Sequence, residues 1–186
     1  MTEHLRNAVK QAVPVMVIAI AWWAAFRVNA WVFAATEHTS VASWVFLPAV
    51  FRPLSILMYE ETGAIGLVLG GYLTVYGTAR GDNLHEIMLS VVSGITPFFA
   101  VMFGKMVFDI PRDLAGLHAS HIVVLSASCA ASNAIVLNGY LWVSGHLHGD
   151  FIQVATVLVG DMLGASIMLF LLSSALAFAL PRQRGT

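Results

Sequence analysis

Three charged residues lie deep inside apolar runs of the sequence: Arg27 in AAFRVNAW, Arg52 in FLPAVFRPLSIL and Asp161 in VLVGDMLGA. A charge at membrane depth costs at least about 2.5–3.5 kcal/mol on insertion scales, so such residues persist where they face a partner or a polar cavity. Two chemistries fit this set. One is a buried ion pair, Arg27–Asp161 or Arg52–Asp161, that only neutralises itself. The other is a small intramembrane pocket that takes an anionic or polar ligand. At 1.5 Å per residue, Arg27 lies roughly 20 Å along the first apolar run and Asp161 roughly 15 Å along the last, depths that match if the runs are antiparallel. The fifth run adds Ser126, Ser128, Ser132, Asn133 and Asn138, with Asn133 near its centre. The expected pocket lining is therefore Arg27, Arg52, Asn133 and Asp161.

Catalysis is not expected. No nucleophile stands beside a base, and no paired carboxylates or metal cluster occur at depth. Cys129 has no second cysteine to pair with, which removes disulfides and cysteine-based zinc sites. Of the histidines, His38, His85, His146 and His148 fall in expected loops on one side, together with Glu37, Asp82, Glu86 and Asp150. His146 and His148 in HLHGD have the alternating spacing of some Zn, Ni or Co sites, but loops collect polar residues in any case, and no metal or other cofactor is expected. His118 and His121 in HASH read as solvated.

These residues need elements to position them. Of 186 residues, 59% are hydrophobic and 10% charged, far from the balance of a soluble domain. A net charge of −1 leaves no basic face for nucleic acid. Apolar runs long enough to cross about 30 Å of hydrocarbon occur at about 12–35, 41–59, 62–79, 84–108, 119–144 and 151–180. The expectation is a single all-α transmembrane domain over 1–186, a bundle of about six helices. The connections TEHTS, EETG, ARGDN, DIPRDLAGL and GHLHGD are too short for a soluble domain. Arg6, Lys10, Lys105, Arg112, Arg182 and Arg184 flank one side and Arg80 the other, which predicts cytoplasmic termini. Several tryptophans stand near expected span ends; Trp22 and Trp23 read equally as anchors or as packed residues.

The second run contains two prolines around Arg52. Pro48 suits a helix start, and Pro53 would remove the bond Ala49 otherwise accepts. The expectation is a proline-broken second span, with TSVASWVFL entering the membrane irregularly and Arg52 one turn beyond the break, facing a cavity. The alternative is a kinked helix whose Arg52 snorkels to the interface. Gly66 and Gly70, and likewise Gly160 and Gly164, are four apart and predict smooth helix-packing faces.

The stretches SWVFLPAVFRPLSILMYEETGAIGLVLGGYL and VLVGDMLGASIMLFLLSSAL resemble the membrane-associated sensor (MASE-type) domain of bacteria. The resemblance rests on Trp44 to Ala49, on Gly63, Gly66 and Gly70, and on Gly160, Asp161 and Gly164, about a third of the chain. Val50 departs from the glycine usual there, and no output domain is attached. The resemblance implies a sensor in the bacterial inner membrane that signals through a separate partner. Three functions are thus expected in order: sensor or ligand-binding module, accessory subunit of a larger membrane complex, and substrate-binding component of a small-molecule or metal importer. Partners are the bilayer and another membrane protein or a second copy.

Overall fold

The computed structural model describes residues 2–39, 42–78, 82–114, 116–146 and 151–179. Among them are five α-helices: α1 (Thr2–Val32), α2 (Phe51–Val75), α3 (Asn83–Val107), α4 (Ala119–Val143) and α5 (Phe151–Ala179). Four contain segments long and apolar enough to cross a membrane, Val9–Val32, Asn83–Val107, Ala119–Val143 and Ile152–Ala175. Their outward faces are apolar: Val13, Ile20, Phe99, Phe103, Ile135 and Phe170 are all exposed. Such a surface belongs in lipid rather than water, and the chain is a multi-pass, all-α membrane protein.

The expected count of six spanning helices is not met. The run 41–59 is not a membrane-length helix. A short hairpin leads into it, strand β1 (Glu37–Thr39) against β2 (Ala42–Ser43), with Glu37 opposite Ser43 and Thr39 opposite Ala42. A 3-10 turn, Leu47–Val50, then leads into α2. Pro48 lies in the first positions of that turn and Pro53 is the third residue of α2. First-turn amides have no acceptor within their own helix, so neither proline breaks a span, and the expected proline break is corrected to a proline start.

The irregular stretch survives because its amides find partners. Trp44 N–H donates to the Thr36 carbonyl at 3.0 Å, Phe46 N–H to the Gly160 carbonyl at 3.0 Å and Leu47 N–H to Asn29 Oδ1 at 2.8 Å. Non-helical backbone at this depth requires such burial in protein. Gly160 and Gly164 make it possible: a Cβ on either would collide with the carbonyl of Ser43 or Phe46. Those two glycines therefore face irregular backbone, whereas Gly66 and Gly70 face a helix, where an added Cβ would lie 2.8 Å from Cβ of Ile18 and of Trp22, respectively.

The interruption in α2 is at Glu60, which has φ 48° and ψ −122°. Residues eight apart in a straight helix are about 12 Å apart, yet a Cβ on Gly63 would collide with the Ser55 carbonyl. The chain doubles back at Glu60, within the expected connection EETG. The second arm of α2 runs parallel to α1, with Gly66 on Ile18 and Gly70 on Trp22, and antiparallel to α3, with Gly71 on Ser90 and Gly94 on Val68. In turn α3 opposes α4 through Gly104 and Leu125, and α4 opposes α5 through Asn138 and Gln153.

Glu60 is held by Lys105 Nζ at 2.8 Å, with Arg112 Nε at 3.7 Å. The Lys105 hydrogen bond holds the Glu60 carboxyl below its ordinary 4.5 against an opposing desolvation; the Lys105 and Arg112 charges lower it further. A carboxyl depressed in the folded state stabilises fully above its unfolded value, and that stabilisation is lost as the pH falls through the folded one. We expect Glu60→Gln to abolish this component. Unfolding followed from pH 6 downward should show the wild type losing its advantage over the variant only below about pH 4.5. A constant difference across that range would exclude the ion pair as the source.

Candidate functional site

The site begins with the stripe that α1 turns inward. Residues 22, 26 and 29 are spaced i, i+4 and i+7, one face of a helix, and put Trp22, Phe26 and Asn29 along a single cavity. Arg27 falls about 140° around the helix from Trp22, and it is exposed. The expectation that Arg27 lines the pocket is corrected for that reason. Asn29, two residues on, takes the inward place and fastens the Leu47 amide.

Arg52, in the first turn of α2, points into the protein and is 4% exposed. Its guanidinium Nη1 pairs with Asp161 Oδ2 of α5, and Asn133 Nδ2 of α4 donates to the same oxygen at 2.9 Å. Asp161 and Asn133 are 3% and 2% exposed. Three of the four residues expected from sequence are thus brought into contact, from three different elements. Arg52 does not snorkel. Its Cζ lies 5.3 Å from the centroid of the Trp22 ring and 5.5 Å from that of Phe46, within cation–π range.

Above this cluster is a cavity of about 290 Å³, at the lower end of the range for small-molecule sites. Arg52, Asn133, Trp22 and Phe46 line its deep part, with Thr74 and Ser93 on the wall. The exposed Glu37 and Thr78 also line it and mark its open end. Two buried donors, Arg52 Nε and Trp22 Nε1, have no acceptor among the described residues. Leaving such a group unsatisfied costs about 1–3 kcal/mol.

The histidines gather elsewhere on the rim. His85 Nδ1 lies 2.8 Å from the Tyr140 hydroxyl, its ring stacks on His146 at 4.1 Å, and His146 Nε2 is 3.9 Å from Asp82 Oδ2. Among the described residues no group of three or more His, Cys, Asp or Glu is placed to hold a metal. His148 lies outside the described residues. Asn138 is used structurally: it accepts from Gln153 Nε2 at 3.1 Å and donates to the Ala134 carbonyl at 2.7 Å.

Sequence reasoning missed Trp22, Phe46 and Asn29. The 22, 26, 29 spacing was a legible signal for the first and third; nothing local marks Phe46, whose position depends on Gly160 and Gly164. No protein-family model, curated protein or solved structure matches this chain.

Proposed function

We propose that this chain is a non-enzymatic ligand-binding or sensor module of the bacterial inner membrane, with its cavity opening on the outer side. The observation that carries this reading is the cavity lining: the buried Arg52 and Asn133, both bonded to Asp161, stand at the wall of a cavity of about 290 Å³. An ion pair serving packing alone has no use for a cavity above it. In this orientation Lys105 and Arg112, beside Glu60, lie at the cytoplasmic end, where positive residues favour retention. Occupancy of the cavity would reach a separate partner protein through the cytoplasmic turn at Glu60.

Mass spectrometry of the protein purified in mild detergent tests this reading. We expect a small molecule retained at a constant ratio to protein and lost in Thr74→Phe, which fills the cavity wall. Among the described residues Thr74 bonds within its own helix, to the Gly71 carbonyl, so the variant should keep its fold. A stoichiometric membrane-protein partner with no retained small molecule would instead favour an accessory subunit.

A further inference from the structure

We propose that α1 carries a phospholipid site on its outward face, where Arg27, between Trp23 and Trp31, holds the phosphodiester of a lipid whose headgroup bears one net negative charge. Residues 23, 27 and 31 are spaced i, i+4 and i+8 and lie within about 80° of one another around the helix. All three are exposed, the two tryptophans by 45% and 85%. The same helix turns Trp22, Phe26 and Asn29 to the cavity, so the stripe is a separate surface and the inference does not depend on the ligand-binding reading.

The depth of Arg27 is what calls for a partner. The membrane-length segment of α1 ends at Val32, and Arg27 stands about 7.5 Å inside that end at 1.5 Å per residue. Within the four membrane-length segments, Asp161 and Lys105 are buried in ion pairs, Glu86 is buried, and Lys10 is next to the end of its segment. Arg27 is exposed at depth, and no described residue forms an ion pair or hydrogen bond with it. Its guanidinium cannot shed its charge, and a cation so placed persists by reaching an anion or the interface.

The anion comes from lipid rather than from a second copy. Among the described residues no Asp or Glu is exposed within the four segments, so a copy packed alongside offers Arg27 no counter-ion at that depth. A phosphodiester does, at the boundary that an arginine reaches by laying its apolar stem along the helix. The guanidinium fork matches phosphate oxygens with two parallel N–H bonds. Tryptophans favour the same boundary, and their indole N–H groups are further donors. The headgroup charge follows from what the stripe lacks. It holds no carboxylate to receive the ammonium of a zwitterionic headgroup, so the lipid that complements one cation carries one net negative charge, as phosphatidylglycerol does.

Native mass spectrometry of the full-length protein, in detergent micelles holding equal amounts of phosphatidylglycerol and phosphatidylethanolamine, tests the site. We expect the wild type to keep phosphatidylglycerol at least about fivefold over phosphatidylethanolamine, the selectivity that one basic residue near a membrane surface supplies. Arg27→Leu should abolish that preference; position 27 is exposed on an apolar face, so the variant keeps its fold. Arg27→Lys keeps the charge but gives up the paired bonds, and should retain an intermediate preference. An undiminished preference in Arg27→Leu, or equal retention of the two lipids by the wild type, would overturn the proposal. So would a wild-type dimer that Arg27→Leu converts to monomer, because a second copy would then be what holds Arg27.

Discussion

Asp161→Ala should destabilise the protein by about 3–5 kcal/mol, the usual cost of leaving one partner of a buried ion pair alone. Arg52 is 4% exposed, and its described charge partner is Asp161. Removing the carboxylate strands a guanidinium that cannot shed its charge and also takes the acceptor from Asn133 Nδ2. Against a typical total of about 5–15 kcal/mol, the variant should be largely unfolded in detergent at temperatures where the wild type is not. Replacing both members is the informative control. Arg52→Met with Asp161→Leu should recover most of the loss, since a buried pair gives little net stability over hydrophobic residues of similar volume. Recovery should fall short by about 1–3 kcal/mol, because Asn133 keeps a buried donor with no acceptor. Equilibrium unfolding of Arg52→Met, Asp161→Leu and the double would give the coupling directly. A loss below about 1 kcal/mol for Asp161→Ala would mean that the pair is solvated rather than buried.

Gly160→Ala and Gly164→Ala should each destabilise by at least about 1–3 kcal/mol, the cost of overpacking a close contact. A methyl group at either position meets a carbonyl of the irregular stretch, Ser43 or Phe46, and backbone cannot swing aside as a side chain can. Displacing that stretch would also break the Phe46 N–H bond to the Gly160 carbonyl and move the Phe46 ring away from Arg52. Binding should therefore suffer together with stability. Gly139→Ala is the matched control on α4, where nothing lies within 4 Å of the added methyl. There the change should be neutral or stabilising by about 0.5–1 kcal/mol, because glycine is a poor helix-interior residue. Melting curves showing equal effects at positions 139 and 164 would exclude the close approach.

Much of the site was legible before the fold was known, and the reasons are physical. A charge inside an apolar run must be paired or cavity-facing, so Arg52 and Asp161 were conspicuous, and a central asparagine needs partners, which pointed to Asn133. Arg27 carried the same signal. What separates it from Arg52 is rotation about α1, and Trp22, Phe26 and Asn29 show which face turns inward. The lesson is that charge at depth locates a residue along a helix but not around it.

The fold was legible where apolar length decided it, over α1, α3, α4 and α5. It was not legible over 41–79, where hydropathy counts residues but does not see backbone. Those residues are apolar enough to pass for two spans, yet their first part is held by tertiary hydrogen bonds to Asn29 and Gly160 that no local pattern encodes. The prolines marked the irregularity correctly and its form wrongly. The turn at Glu60 has neither proline nor glycine at the non-helical residue, and a salt bridge to Lys105, 45 residues away in sequence, holds it.

The most direct test of the central claim is thiol accessibility in native membranes. With Cys129 replaced by alanine, Thr74→Cys should react quickly with a small water-soluble methanethiosulfonate added on the side of Glu37 and Thr78. Val101→Cys, at a fully buried core position, should react only after unfolding. If Thr74→Cys proves as inert as Val101→Cys, the interior is dry and closed, and Arg52 and Asp161 form a packing pair with no site above them.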